Sequence, residues 1–238
     1  MGSPRWFFDL SRPWLVGFLV AGIVLLTVGT VWGLGFAPPD YQQGDSYRII
    51  YIHVPSAHLA EALYVAMGVA GIVVLVWRMK LADMFIAVTA PVGMAITGIA
   101  LLTGAIWGRP TWGAWWVWDA RTTSVLVLFF LYVGIMALRQ AIPRADQAGR
   151  AAAVLAIVGT VNVPIIKYSV DWWLTLHQPA SITFTAAPAM PPSMWVPLLV
   201  NFLGFYSLVA AFLVAGLRNE VLRREADAQW VRDWVGRS

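Results

Sequence analysis

Cysteine is missing altogether from the 238 residues. Its absence excludes disulfides, thiolate zinc sites, iron–sulfur clusters, a cysteine nucleophile and a haem attached through the chain's own thiols. Charge is scarce as well: Asp, Glu, Lys and Arg make up 12%, against roughly 25% in soluble globular proteins. Lys80 and Lys167 are the only two lysines, and neither follows a glycine-rich phosphate loop, so P-loop nucleotide hydrolysis is excluded. No H-E-x-x-H zinc helix and no G-x-S-x-G elbow occur, which removes two common hydrolase designs. These gaps point away from an enzyme. Histidine is limited to His53, His58 and His177, so any imidazole chemistry must be built from these three.

What remains is apolar. Hydrophobic residues make up 60% of the chain, more than a soluble domain of this length can hide, so lipid must act as a second solvent. Six apolar runs stand out, at about Trp14–Leu34, Ala57–Trp77, Phe85–Ile106, Thr122–Leu138, Ala151–Val170 and Met194–Leu217. Each is long enough, or nearly so, to cross about 30 Å of hydrocarbon as a helix. In lipid the backbone must satisfy itself within its own segment, which favours helices, and the alternating ten-residue segments of a β-barrel are missing. The expected fold is an all-α membrane protein of six transmembrane helices. Residues 1–217 form the membrane domain, and 218–238 form an amphipathic tail that continues the last span along the membrane surface.

The net charge of +4 bears on orientation rather than nucleic acid, because the basic residues sit in short loops beside the apolar runs. Twelve of the sixteen Lys and Arg fall at the N-terminus (Arg5, Arg12), the second-to-third loop (Arg78, Lys80), the fourth-to-fifth loop (Arg139, Arg144, Arg150) and the tail (Arg218, Arg223, Arg224, Arg232, Arg237). This asymmetry places both termini in the cytoplasm and the loops at 35–56, 107–121 and 171–193 outside. The first apolar run is too long for a cleavable leader, and no clear cleavage site follows it. Pro91 and Pro164 lie inside spans and predict kinks. Gly68 and Gly71 predict a close helix approach.

The densest chemistry lies between Trp107 and Asp119. Trp107, Trp112, Trp115, Trp116 and Trp118 place five of the chain's 14 tryptophans within a short outward loop. One or two would read as interfacial anchors. Five, with Gly108, Pro110 and Gly113 shaping the loop, suit a platform for a large flat apolar ligand. His53, in Tyr51-Ile-His-Val-Pro55, and His177, after Trp172-Trp173, fall in the loops flanking that segment. A lone interfacial histidine is usually a hydrogen-bonded polar tip, but two on the aromatic side can ligate iron from both axial positions. His58 lies about 140° around a helix from His53 and reads as structural. Arg48, Arg109 and Arg121 can meet carboxylates of an anionic ligand, or act as solvated charges; Arg121 beside Asp119 suggests a local ion pair. Asp119 is placed to cap the fourth span. Glu61, Asn162 and Lys167 are polar groups within spans, where such residues are functional candidates by default.

With these residues in view, the chain resembles the tryptophan-rich WWD family of cytochrome c assembly proteins that handle haem, and within it the CcmC family, the haem exporter protein C of bacterial cytochrome c maturation. The resemblance rests on the Trp107–Asp119 run, the two histidine stretches and the six-span length, and it covers the membrane domain. It implies haem b held at the outer face against the tryptophan segment, with His53 and His177 as axial ligands. It implies site contributions from the segment carrying Trp107, Trp112, Trp115, Trp116, Trp118 and Asp119, to which the residue reading adds Arg48 and Arg121 as candidates. It implies delivery to a periplasmic haem chaperone, CcmE, alongside the membrane subunits CcmB and CcmD and the ATPase CcmA, in the bacterial inner membrane. His58 departs from the family pattern. Two rival readings are a b-type electron-transfer cytochrome, which usually pairs histidines across a bundle, and a small-solute transporter, which needs a polar pathway through the spans. A third is a structural subunit using the tryptophans to dock a partner.

Overall fold

The computed structural model describes residues 3–173, 175–177 and 188–236. Among these the chain is helical, with a single isolated bridge between Asp40 and Gly44. Helix α1 (Pro4–Val31) runs into a π-helical turn at Trp32–Phe36, and a short 3-10 turn (Asp45–Ile49) leads into α2 (Ile50–Trp77). Then come α3 (Lys80–Trp112), α4 (Ala120–Ala141), α5 (Ala145–Gly159), α6 (Asn162–Trp172), α7 (Pro192–Arg224) and α8 (Gln229–Val235). Six stretches are long and apolar enough to cross a bilayer, α5 and α6 together counting as one. The expected six-helix membrane architecture is therefore the observed one.

Local chemistry sets the boundaries. Ser3 caps α1 by accepting from the Trp6 amide at 3.2 Å, with Pro4 at the first helical position, where its missing N–H costs nothing. Within the fifth span, Pro164 cannot donate to the Thr160 carbonyl and crowds it. The chain responds with a turn at Thr160–Val161, whose amides bond to Ile157 and Val158 three residues back. The other proline predicted to kink a span, Pro91, lies within α3, which continues uninterrupted past it.

Helix α2 is the hub. Its buried Tyr64 donates to the Leu155 carbonyl at 3.1 Å, and the Ala60 carbonyl accepts from Tyr132 at 2.7 Å. The hydroxyls of Tyr64 and Tyr132 thus both have partners, as a low-dielectric interior favours. Gly68 and Gly71 let α5 approach: a Cβ at Gly71 would lie 2.8 Å from the Ala153 carbonyl oxygen. Helix α1 lies at the edge and packs along α7. The Thr30 hydroxyl donates to the buried Asn201 at 3.1 Å, and Asn201 donates to the Pro197 carbonyl at 3.0 Å.

At the end of the bundle that carries the chain termini, Asp83 binds Arg139 at 2.6 Å and Arg224 at 2.5 Å, joining α3, α4 and α7. Helix α7 continues past Leu217 to Arg224. The separate helix α8 then folds back, with the rings of Trp230 and Trp234 5.5 and 5.3 Å from Phe8 of α1. Arg237, placed in the tail by the sequence reading, lies outside the described residues.

The α1–α7 seam yields a direct test. A Cβ at Gly22 would sit 2.7 Å from the Leu208 amide nitrogen, and one at Gly204 would sit 2.7 Å from that of Leu26. Backbone cannot be pushed aside as a side chain can, so Gly22→Ala or Gly204→Ala must lift α1 from α7. A loss of about 1–3 kcal/mol is expected, read as a lower thermal unfolding midpoint in detergent. Gly17→Ala, which meets nothing within 4 Å, should leave the midpoint unchanged.

Candidate functional site

Six alternating spans bring the C-terminal ends of the first, third and fifth and the N-terminal ends of the second, fourth and sixth to one end of the bundle. A buried cluster ties the first, second, third and sixth together: Ala37, Tyr47, Ile50, Tyr51, Met190, Met194 and Leu198, with Trp107 packed against it. The segments picked out by the sequence therefore converge.

The tryptophan segment is half helix, not wholly loop as expected. Helix α3 has 33 residues, about 50 Å at 1.5 Å per residue, so it outreaches the hydrocarbon and carries Trp107 and Trp112 on its last turns. It stops at Gly113, whose φ of 77° is the left-handed conformation that glycine adopts at helix ends. The Gly113 amide bonds back to the Arg109 carbonyl at 3.1 Å, and the Arg109 guanidinium donates to the Gly113 carbonyl. Trp107 is fixed by its indole N–H donating to Gln43 at 2.7 Å and by edge-on contact with Tyr47. Trp116 packs edge-to-face with Trp118, and its indole nitrogen is buried without a partner. Trp115 and Trp118 present 60% and 76% of their surface outward.

His53 also differs from expectation. It occupies the first turn of α2, because Pro55 falls so near the helix start that only one backbone bond is forfeited. Its ring stands edge-on to Trp107 at 5.6 Å, and its Nδ1 lies 3.0 Å from the Thr103 hydroxyl oxygen. Thr103 spends its own proton on the carbonyls of its helix, at 2.7 Å to Ile99, so it accepts from His53. With the hydroxyl so turned, the Nδ1 of His53 carries the proton and Nε2 keeps its lone pair. His58 turns elsewhere, as its helical spacing requires, and its Nδ1 meets the Tyr206 hydroxyl at 2.7 Å. With Glu61 and Lys167 it lines a separate cleft of about 310 Å³ between α2 and α6.

His177 packs on Trp112, ring centroids 4.8 Å apart. Its Nδ1 is buried, has no hydrogen bond and lies 3.7 Å from an Asp119 oxygen. Burial pushes this imidazole down to about 4, helped by the Arg121 charge and opposed by Asp119, so it is neutral at physiological pH. The indoles against which the two imidazoles pack, Trp107 and Trp112, both stand on the last turns of α3. Leu174, Gln178 and Pro179 of this stretch lie outside the described residues.

Asp119 caps α4, accepting from the Thr122 amide at 2.8 Å and the Thr122 hydroxyl at 2.6 Å. Its other oxygen accepts from the Thr175 hydroxyl. Burial raises its carboxyl, but the hydrogen bonds from Thr122 and Thr175 outweigh this and hold it below the usual range. With those oxygens taken, the expected pairing with Arg121 does not form. Arg121 instead reaches α6, donating to the Ser169 hydroxyl at 3.2 Å and the Lys167 carbonyl at 3.1 Å. Arg48 ties the end of the first span, donating to the Leu34 and Ala37 carbonyls at 2.6 and 2.8 Å. Asn162 donates to the Ser124 carbonyl at 2.9 Å. Gln43, Thr103, Gly104 and Thr175 all shape the site, and the sequence reading missed them. Thr103 and Gly104 stand one helical turn before Trp107 and would have surfaced had α3 been carried past Ile106.

The family model described as CcmC, Heme exporter protein C, matches residues 1–232. The chain belongs to this family. It is 49% identical over 223 residues to Heme exporter protein C of Escherichia coli strain K12, covering 94% of this chain and 89% of that one. It is 49% identical over 227 residues to the Bradyrhizobium diazoefficiens protein of the same name, covering 94% and 85%. It is 47% identical over 215 residues to that of Haemophilus influenzae, covering 90% and 87%. Membership in the CcmC family thus agrees with the residues that suggested it.

Because Asp119 joins a helix cap to the His177 segment, Asp119→Ala should have two separable effects. Loss of the cap should cost about 0.5–2 kcal/mol of stability. Amide exchange at Thr175 to His177 should quicken well beyond what that global loss produces. Hydrogen exchange followed by mass spectrometry measures both, and uniform quickening across the bundle would show that Asp119 does not tether the segment.

Proposed function

We propose that this protein binds haem b at the periplasmic face of the bacterial inner membrane and delivers it to the haem chaperone CcmE for cytochrome c maturation. The observation that carries the reading is the convergence of His53 and His177. Each has an indole against its ring, at 5.6 and 4.8 Å. Each has its Nδ1 toward a protein oxygen, at 3.0 and 3.7 Å, which leaves Nε2 for a metal. Two imidazoles from separate segments, each packed against an indole, suit a metal that brings its own flat ring of equatorial ligands.

The chain's groups divide the work. His53 and His177 supply axial nitrogens. Trp115 and Trp118 offer faces to the macrocycle, while Trp107, Trp112 and Trp116 brace the site. Arg121 at the start of α4 and Arg48 in the turn before α2 would offer N–H donors to the propionates. The positive-inside pattern supports a cytoplasmic location for the termini and a periplasmic one for the site. Handover requires one axial bond to open as the chaperone approaches. The chain acts as a haem-binding delivery subunit rather than an enzyme. CcmB and CcmD are its membrane partners, and CcmA supplies the nucleotide hydrolysis for which this chain has no P-loop.

Purified His53→Ala and His177→Ala variants should each lose the six-coordinate low-spin spectrum, retain less haem and transfer less to CcmE. An unchanged spectrum, haem content and transfer in both would refute the ligand assignment. A packing variant tests the same site without removing a ligand. A Cβ at Gly104 would sit 3.0 Å from the His53 ring, whereas one at Gly98 would meet nothing closer than 3.7 Å. Gly104→Val should weaken haem retention about tenfold, in line with an overpacking cost of roughly 1–3 kcal/mol. Gly98→Val should retain haem as the parent does.

A further inference from the structure

The oxygens behind the two imidazoles are chemically different. Behind His53 stands Thr103, a neutral hydroxyl at 3.0 Å on a neighbouring helix. Behind His177 stands the Asp119 carboxylate at 3.7 Å. Asp119 cannot turn freely, because one of its oxygens is held by the Thr122 amide and hydroxyl. Its other oxygen accepts from Thr175, and the Thr175 oxygen in turn accepts from the His177 amide at 3.1 Å. One hydroxyl therefore links the carboxylate to the backbone that carries the imidazole. Trp112 closes on the His177 ring at 4.8 Å.

We propose that Asp119 and Thr175 are positioning residues for His177, and that they make the two axial positions unequal. This inference rests on the haem-ligand reading above. When Nε2 of His177 holds iron, its proton must sit on Nδ1, and the Asp119 oxygen at 3.7 Å is the acceptor that a small turn of the ring brings within hydrogen-bond reach. A carboxylate behind an imidazole makes it a stronger donor and fixes its ring angle, which favours ferric over ferrous iron. The Thr103 hydroxyl orients His53 without adding charge. The His177 side is thus the electron-rich one, and its geometry depends on a single threonine.

The test uses the full chain loaded with haem. Thr175→Val keeps the side-chain shape and removes the hydroxyl; Asp119→Asn keeps a good helix cap and removes the charge. Both should raise the haem midpoint potential and speed haem loss to apomyoglobin by about 10-fold or more. Thr175→Ser should behave as the parent, and Thr103→Val should shift the potential less than Asp119→Asn. Parental potential and loss rate in both Thr175→Val and Asp119→Asn would overturn the inference, as would an equal or larger potential shift in Thr103→Val. If a variant purifies without haem, reconstitution with added imidazole decides. Recovery of the low-spin spectrum supports the inference, because only the axial position was lost; failure to recover overturns it. Loss of ligation in His177→Ala alongside parental Thr175→Val and Asp119→Asn would sink the positioning inference alone. An unchanged spectrum in both His53→Ala and His177→Ala would instead sink the ligand reading beneath it.

Discussion

Placing two imidazoles, each with a protein oxygen facing its Nδ1, is the constraint around which this end of the bundle is organised. A ring protonated on both nitrogens offers no lone pair to a metal. Burial and the nearby Arg121 charge keep His177 unprotonated. A threonine that has already donated its own proton fixes which nitrogen of His53 carries hydrogen. Neither device works unless the backbone segments are held. The Gly113 stop on α3, the Asp119 cap on α4 and the Arg121 bonds to α6 meet that need. Each of these side chains serves the backbone before it serves any ligand, which explains why charges that read as free in the sequence are engaged in the fold.

The membrane made the architecture legible. Where water cannot satisfy the backbone, an apolar run of sufficient length has little choice but helix, so six runs became six spans. The same reasoning gave poor boundaries, because hydropathy reports where lipid contact ends and not where the helix ends. Trp107 to Trp112 and Ile50 to Ser56 are polar or aromatic enough to leave the hydrocarbon, yet they remain helical. His53 and two of the five tryptophans consequently stand on rigid helix ends. The break at Thr160–Val161 follows from Pro164 and was half visible: a kink could be anticipated, but its position depends on which carbonyl the ring crowds.

The site was legible in its rare residues and hidden in its common ones. Three histidines and a dense tryptophan run stand out in any composition; Thr103, Gln43 and Thr175 do not. Their importance comes from partners 50, 64 and 56 positions away. No local pattern in one sequence reports such pairings. The expected Asp119–Arg121 pair failed for a related reason. Proximity in sequence suggested it, but two threonines, one of them from a distant segment, claimed the carboxylate first.

The two histidines also differ in how firmly they are mounted. His53 rides on a helix that packs against α3, α5 and α7 through much of its length, and moving it would disturb the core. His177 hangs on the segment beyond α6, tied to the bundle by the Thr175 hydroxyl and by its contact with Trp112. Freeing the first means unpacking a buried helix, whereas freeing the second means, among the described contacts, giving up the Thr175 hydrogen bonds, net about 1 kcal/mol each, and lifting one ring from Trp112. Under the proposed delivery function, a carrier that grips its cargo and then releases it needs one fixed contact and one that yields. On energetic grounds the proposed ligand pair has His177 as its yielding side.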